Sequence, residues 1–294
     1  YKVCTTYADE FRGGTNMTFY GVDADRKAQK LADAIFTASR RTLKQLGLAD
    51  FSETSVELIG AESQYGRNAQ ISQCRELVMK IAAKHPDAAG IGIMLKESVG
   101  LGLATPPGLS GFAGARPSPS PVVRLFSFAL PKGTAQIEVE IDGVTHQVPD
   151  GPGQSFSVQK LPRPTAPAAP TDASVPVPLI KLAWGRSGDK GDKANIGIIA
   201  RRPEYLPYIY AALTEQAVAD GFAHFLPAQA AGKTESYVDR YLMPGSHAIN
   251  FLIHDVLGGG GMASIRNDAQ GKGYGQLMLD AAIPVSAAIA SQLK

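Results

Sequence analysis

The segment LPRPTAPAAPTDASVPVP, residues 161–178, decides how the rest of the chain is organised. It closes a stretch from Pro149 to Pro178 that holds eight prolines among alanine, threonine, serine and glycine. Such a composition cannot bury enough surface to offset its ordering entropy, and its prolines favour an extended spacer. The sequence therefore predicts two folded regions, residues 1–148 and 178–294, joined by a Pro/Ala-rich linker at residues 149–177.

The region before the linker alternates predicted strands and helices, which indicates an α/β fold. We predict a helix from Asp23 to Gly47, because Ala28, Leu31 and Ile35 repeat at helical spacing. The remaining predictions are strands at 1–8 and 17–20, a hairpin turn at 7–14, a strand at 56–59, a helix at 71–84, a strand at 90–95, and strands at 122–130, 137–141 and 144–148. The last three strands, two of them joined by Asp142-Gly143, predict an antiparallel β extension.

The region after the linker reads as a small two-layer α+β sandwich. We predict strands at 179–184, 196–200, 236–242 and 262–266, and helices at 205–220, 247–256 and 275–293, the last with a break at Pro284. His247 and His254 would then share one helix face, but no third ligand accompanies them, so no metal site is expected.

Composition excludes several classes of protein. The chain has 294 residues, 44% of them hydrophobic and 19% charged, which is typical of a folded globular protein. Its net charge of +2 gives no positive electrostatic field that would attract nucleic acid. No apolar run is long enough to cross a membrane. Two distant cysteines, Cys4 and Cys74, predict a reducing and therefore cytoplasmic location. No Walker or dinucleotide motif is present, so neither ATP nor NAD is supported and no cofactor is evident.

The densest chemical signal is GRSGDKGDKAN at residues 185–195. Its glycines let backbone N–H groups converge, and its cations suit a phosphate or a carboxylate. Asp189 and Asp192 are candidate catalytic acid–base groups if they are buried. They could instead hold a cation or orient the basic groups through ion pairs. The candidate anion-binding residues in this run are Arg186, Ser187, Gly188, Lys190, Gly191 and Asn195. A plain solvated turn between strands explains the same composition and remains open.

A second signal is GGGGMASIRNDAQGKG at residues 258–273. Four successive glycines exceed what a helix cap needs, which suggests close approach by a ligand or another backbone. Gly259, Gly260, Arg266, Asp268 and Lys272 join the candidate binding set. A flexible surface loop is the alternative. Arg116, in the Gly/Pro-rich loop at 105–117, is a further candidate anion ligand, and that loop suits a lid or a subunit contact.

These motifs resemble a known family. RSGDKGD at 186–192 with Asn195-Ile196-Gly197, and LGGG at 257–260 with SIRNDAQGK at 264–272, are similar to the C-terminal ferredoxin-like domain of the AtuA family. GVDA at 21–24 with Lys27-Ala28, and Pro106-Pro107-Gly108 with Arg116-Pro117, resemble the end of its larger N-terminal domain. Family members are longer than this chain, so we expect an upstream region.

The resemblance implies a role in catabolism of branched acyclic terpenoids, which proceeds through acyl-CoA thioesters. We therefore expect a hydratase or lyase acting on a branched acyl-CoA or a related carboxylate, with a small-molecule substrate and no nucleic-acid or membrane partner. The alternative is a non-catalytic assembly or regulatory subunit that docks onto a pathway enzyme. A homo-oligomer is expected on general grounds.

Overall fold

The computed structural model describes residues 1–111, 114, 116–151, 153, 162–230 and 232–293. Nine residues of the predicted linker, 152 and 154–161, and three residues of the predicted 105–117 loop lie outside these ranges. In the first half the strands are β1 (Lys2–Tyr20), β2 (Glu53–Ile59), β3 (Glu76–His85), β4 (Leu109–Ser110), β5 (Ser120–Ala129), β6 (Ile137–Ile141) and β7 (Val144–Val148). The helices are α1 (Ala24–Gln45) and α2 (Ala88–Gly102).

The first half has a five-stranded sheet with two helices on a single face, and the separate β6–β7 hairpin. The sheet has the order β2-β3-β1-β4, and β5 pairs with the other end of β1. Every second residue of β3 is buried against α1 and α2, including Leu77, Met79 and Ile81. This period of two is that of a strand, so the helix predicted at 71–84 was wrong. The opposite sheet face carries the charged residues Glu57, Lys80 and Lys84.

Two further predictions for this half were wrong. The strand predicted at 90–95 is the start of α2, because Ile91, Met94, Leu95 and Ser98 are buried at helical spacing. Asp87 caps that helix by accepting the Ala89 N–H at 2.8 Å. The hairpin turn predicted at 7–14 is instead the middle of β1, which runs through with one register shift between Ala8 and Glu10.

The second half contains β8 (Val175–Pro178), β9 (Ala183–Lys190), β10 (Lys193–Ala200), β11 (Val238–Met243), β12 (Ala248–Ile253) and β13 (Ala282–Val285). Its helices are α3 (Leu179–Leu182), α4 (Leu206–Ala212), α5 (Glu215–Gly221), α6 (Gly260–Ala263), α7 (Tyr274–Leu279) and α8 (Ala287–Gln292). The main sheet has the order β11-β12-β10-β9, and β8 pairs with β13. Helices α4, α5 and α7 contribute to a core that includes Ile196, Phe251 and Tyr274.

Tertiary packing overrides several local patterns in this half. The helix predicted at 247–256 is β12, since Ile249, Phe251 and Ile253 alternate into the core. The predicted helix at 205–220 breaks where Thr214 caps α5. Residues 275–293 divide into α7, β13 and α8, and the strands predicted at 179–184 and 262–266 contain α3 and part of α6.

The predicted mixed α and β class is confirmed. Every strand pair between described residues is antiparallel, and the predicted β extension exists as β5 beside β1 and as the β6–β7 hairpin. No helix among the described residues is both long and apolar enough to traverse a bilayer.

Candidate functional site

The two glycine-rich loops meet in space. The turn at Gly191-Asp192 joins β9 to β10, and the Asp192 carboxylate accepts the Gly259 N–H at 2.7 Å. A β-carbon built on Gly260 would lie 2.5 Å from the carbonyl oxygen of Gly191, and Gly260 has a φ of +79°. Contact between the two backbones therefore requires glycine at position 260.

Asp192 has an altered acidity. Burial raises the pKa of its carboxyl above the ordinary value, and the nearby negative charge of Asp255 adds to the rise. The Gly259 N–H and the positive charge of Arg266 oppose the shift but do not cancel it. A carboxyl with a raised pKa exchanges protons nearer to neutral pH, which suits general acid–base chemistry.

Asp192 lines a cleft of about 890 Å³ that is built from both halves of the chain. The first half contributes residues from β1, β2, the end of β3 and β5, and the second half contributes the two glycine-rich loops and the segment 227–229. The charged residues of its lining are Asp9, Glu10, Glu53, Lys84, Arg124, Asp192, Asp255 and Arg266. This cleft is our candidate functional site.

Two of the three cations of the cleft, Arg124 and Lys84, are held by carboxylates. Arg124 of β5 forms ion pairs with Asp9 and Glu10, and the hydrogen bond to Asp9 is the main cause of the raised pKa of its guanidinium. Lys84, which is buried, pairs with Glu53 at 2.6 Å and also donates to the Gly258 carbonyl at 3.3 Å. These pairs fix the positions of the two cations at the edge of the cleft.

The second glycine-rich loop, which begins at Gly258 and which we call the glycine loop, packs on the sheet of the first half. It contacts the sheet face that carries Glu57, Lys80 and Lys84. Arg12 donates to the Ser264 carbonyl at 2.8 Å, and Lys80 donates to the Ile265 carbonyl. Between them these contacts join residues of β1 and β3 to one short segment of the second half. The positive charges therefore satisfy loop carbonyls that would otherwise be buried without partners.

Glu57 is the central carboxylate of this contact. It lies directly opposite Lys80 in the sheet register and pairs with it. Its two oxygens also accept the Asn267 N–H, at 3.0 and 2.8 Å, and the Gln64 side chain at 2.6 Å. Because its exposed fraction is only 6%, these partners replace the water that Glu57 would lose on burial.

Only some of the site residues predicted in the run 185–195 lie at the cleft. Asp192 lines the cleft and the Gly191 backbone packs against Gly260. Asp189 lies on β9 opposite Ala194 and forms no side-chain hydrogen bond or ion pair within the described ranges. Arg186 and Lys190 are exposed, and the Lys190 ammonium donates to the Asp189 carbonyl. The acid–base role predicted for Asp189 stays a prediction.

Other predicted site residues of the run 185–195 contact neighbouring segments of the chain. The buried Ser187 hydroxyl donates to the Gly271 carbonyl at 2.6 Å and accepts the Gly275 N–H at 2.7 Å. The Asn195 side chain accepts from Asn250 at 3.0 Å. Gly188 leaves room for Lys272, whose Nζ would lie 3.0 Å from a β-carbon at that position. These residues connect β9 and β10 to neighbouring segments.

The site residues predicted in the run 258–273 also lie only partly at the cleft. Gly259 and Arg266 line the cleft, and Gly260 packs beneath it. Arg266 donates to the Val256 carbonyl and lies over the Phe225 ring at 5.6 Å. Asp268 accepts the N–H groups of Lys272 and Gly273 and so shapes the entry to α7. Arg116 is exposed in the loop before β5 and does not line the cleft.

The first-half residues of the cleft were missed in the sequence. Glu10, Lys84 and Arg124 belong to no motif, and each has only a charge within a strand pattern as its signal. Arg12 and Glu57, which contact the loop but do not line the cleft, were also not predicted as site residues. For Arg12 an adjoining signal exists, because Gly13-Gly14 is unusual inside a strand and marks close backbone approach. Within the described ranges no group of three or more metal-ligating side chains comes together.

His224 offers a pH test of the contact between the halves. Its Nε2–H donates to the Gln64 carbonyl at 2.9 Å, and burial lowers the pKa of its ring below the ordinary value of 6.5. The stability that this neutral ring contributes is present above pH 6.5 and is lost as the pH falls through the lowered pKa. We expect the melting temperature to fall with pH in that window, and to fall less in His224→Gln.

The matched control is His146→Gln, which makes the same change on the exposed β7 strand. Scanning calorimetry across mildly acidic pH would compare the three proteins. A pH slope that is identical in wild type and His224→Gln would contradict this role for the His224 ring.

Two family models match the chain. Residues 1–141 match the family model described as acyclic terpene utilisation family protein AtuA. Residues 177–284 match the model described as AtuA ferredoxin-like domain. The resemblance carried by the two glycine-rich motifs is confirmed, and together the matches cover most of the chain. No curated protein and no solved structure matches it.

Proposed function

We propose that this chain, which belongs to the acyclic terpene utilisation AtuA family, is a hydratase or lyase acting on a branched acyl-CoA thioester or a related carboxylate. Family membership relates the chain to terpene utilisation, and the reaction is our inference. The observation that carries it is Asp192, a carboxyl of raised pKa in a cleft formed by both halves.

The chemistry requires one proton to be taken and one to be given. In hydration, the Asp192 carboxylate takes a proton from water as the water oxygen bonds to the β-carbon of a conjugated thioester. The resulting carboxylic acid then returns a proton to the α-carbon, which restores the thioester carbonyl from its enolate. Dehydration is the reverse, so one group of raised pKa serves both directions.

The surroundings of Asp192 support this chemistry. The enolate oxygen develops negative charge, which backbone N–H groups of the glycine loop and the charges of Arg266 and Lys84 stabilise. Arg124, held rigidly by Asp9 and Glu10, adds a further cation at the rim for the anionic parts of the substrate. In this proposal Arg186, Lys190, Lys272 and Arg116 contact peripheral parts of the substrate.

The proposal is tested with the full chain and a panel of branched, conjugated acyl-CoA thioesters. In water enriched in oxygen-18, hydration places the label on the β-carbon of the product, where mass spectrometry detects it. Asp280→Asn is the control variant, because Asp280 is exposed at the end of α7 and outside the cleft. Absence of labelled product from a folded, monodisperse protein across the panel would overturn the proposal.

One observation favours the second candidate, a non-catalytic subunit. Among the residues that the structure describes, the N-terminal part of β1 and the C-terminal part of β5 pair only with each other, and they expose the apolar side chains Tyr7, Leu125, Phe126 and Phe128. Two of these rings, Phe126 and Phe128, stack at 6.0 Å. Exposed apolar patches of this kind mark docking surfaces. Failure of the labelling experiment, together with co-purification of a pathway enzyme that Phe126→Ser and Phe128→Ser abolish, would favour this candidate.

A further inference from the structure

The outer face of the sheet in the second half exposes a row of apolar side chains. Helices α4, α5 and α7 pack on the other face, where Ile196 and Phe251 are buried. On the outer face, one residue from each of the four strands lies directly opposite the next: Met243, Ala248, Ile199 and Trp184. The exposed fractions of Met243, Ile199 and Trp184 are 50%, 45% and 53%. A contiguous apolar row of this kind is typical of an interaction surface.

The same sheet face is basic. Strand alternation places three cations on it, and a fourth reaches it from the loop before α7: Arg186, Lys190, Lys193 and Lys272. The Nζ of Lys272 lies 3.0 Å from the place where a β-carbon on Gly188 would be. None of the four cations forms an ion pair with another described residue, whereas the outward carboxylate of Asp239 is bound to His254 at 2.8 Å. Such a face attracts an acidic partner that carries apolar side chains.

The β6–β7 hairpin has the complementary properties. Its apolar side chains share one face: Ile137, Val139, Ile141, Val144 and Val148. Its acidic residues are Glu138 and Glu140 on the opposite face and Asp142 in the turn. In the described part of the chain the hairpin pairs with no other strand and belongs to neither hydrophobic core, and Ile141 and Val144 are each 57% exposed. Because an isolated two-stranded hairpin is only marginally stable in water, its apolar face needs a surface to cover it.

The hairpin is anchored far from the sheet of the second half in its own chain. At its base the Leu130 N–H donates to the Tyr1 carbonyl, and the Asp150 carboxylate accepts the Gly133 N–H at 2.7 Å. The glycine loop of the second half contacts β1 at Arg12, and the extended chain from Tyr1 to Arg12 spans about 35 Å. A second copy of the chain can bring its sheet to the hairpin without breaking the bonds at this base.

We propose that the β6–β7 hairpin of one copy packs on the outer face of the second-half sheet of another copy. The apolar face of the hairpin covers the row that ends at Trp184, and the acidic charge of the hairpin is attracted by the cations beside that row. When each copy places its hairpin on the sheet of the other, the two contacts are related by a two-fold axis and the dimer is closed.

The test is sedimentation velocity of the full chain across micromolar concentrations. Ile141→Lys gives the hairpin the same charge as the sheet face, and Trp184→Asp gives the sheet face the same charge as the hairpin. We expect wild type to dimerise and each variant to dimerise at least about tenfold more weakly. The matched controls, Val99→Lys and Val99→Asp, make the same changes of charge at an exposed position of α2 and should behave as wild type.

A mixture of the two variants tests whether the hairpin meets the sheet. A mixed pair unites the unchanged hairpin of the Trp184→Asp chain with the unchanged sheet of the Ile141→Lys chain, so one of the two contacts is restored. We expect dimers in the mixture at concentrations at which neither variant forms them alone. Wild type that stays monomeric, variants that dimerise as wild type does, or a mixture with no more dimer than its components would overturn the proposal. Because turnover is not measured, the result is independent of the acid–base role proposed for Asp192.

Discussion

Asp192→Asn is expected to lower turnover by roughly 100- to 10,000-fold, the usual contribution of a general acid–base group, while the folded protein becomes no less stable. Asparagine has the same shape and its oxygen still accepts the Gly259 N–H. It neither takes nor gives a proton at the pH of catalysis. The measurement is the rate of oxygen-18 incorporation into product, beside the melting temperature of each variant.

The stability part of this prediction follows from the sign of the pKa shift. The pKa of Asp192 is higher in the folded chain than the ordinary value of 3.8, so the folded state favours the protonated carboxyl. That contribution is present below pH 3.8 and is lost as the pH rises through the raised pKa. At neutral pH the buried charge is unfavourable, and neutral asparagine removes it. We expect a higher melting temperature for Asp192→Asn at neutral pH, with the difference shrinking in acid.

Two outcomes would contradict this account of Asp192. Full turnover by a folded Asp192→Asn would remove the residue from the chemistry. A lower melting temperature at neutral pH would mean that the ionised carboxylate stabilises the loop contact more than its burial opposes it. Asp189→Asn is the informative companion, because loss of turnover there alone would move the acid–base role to β9.

The fold could be predicted in part from the sequence, and the errors share a cause. The helix at 24–45 and the strands β5, β6, β7 and β10 have clear periodicity and were predicted correctly. In β3 and β12 the apolar residues are frequent enough to fit both the helical period of 3.6 and the strand period of 2. Only pairing with neighbouring strands makes these segments strands. α2 is rich in glycine and branched residues, so its local preference disagrees with the helix that packing imposes.

The candidate site could also be predicted only in part, but for a different reason. Its second-half residues stand in two dense motifs, so composition alone pointed to them. Its first-half residues contact the glycine loop across long sequence separations: Lys80 meets Ile265 from 185 residues away, and Arg12 meets Ser264 from 252. A single sequence contains no signal for such pairs. What identifies them is burial of charge, which is visible only after folding.

Gly260→Ala is expected to destabilise the protein by about 2–5 kcal/mol, because two unfavourable effects act together. The φ of +79° at this position is strained for any residue with a β-carbon. That β-carbon would also lie 2.5 Å from the Gly191 carbonyl oxygen, a fixed backbone atom that side-chain motion cannot relieve. The two loops must separate, so Asp192 also loses its contact with Gly259. We expect turnover to fall as well.

The neighbouring Gly261→Ala is the matched control for this substitution. Its β-carbon would meet only the flexible Gln270 side chain, at 3.3 Å, and alanine favours the helical turn that begins there. Chemical denaturation should therefore place Gly261→Ala close to wild type and Gly260→Ala well below it. Equal midpoints for the two variants would show that the loops are not in backbone contact. Because the cleft exists only where these loops touch, that result would remove the basis for placing chemistry at Asp192.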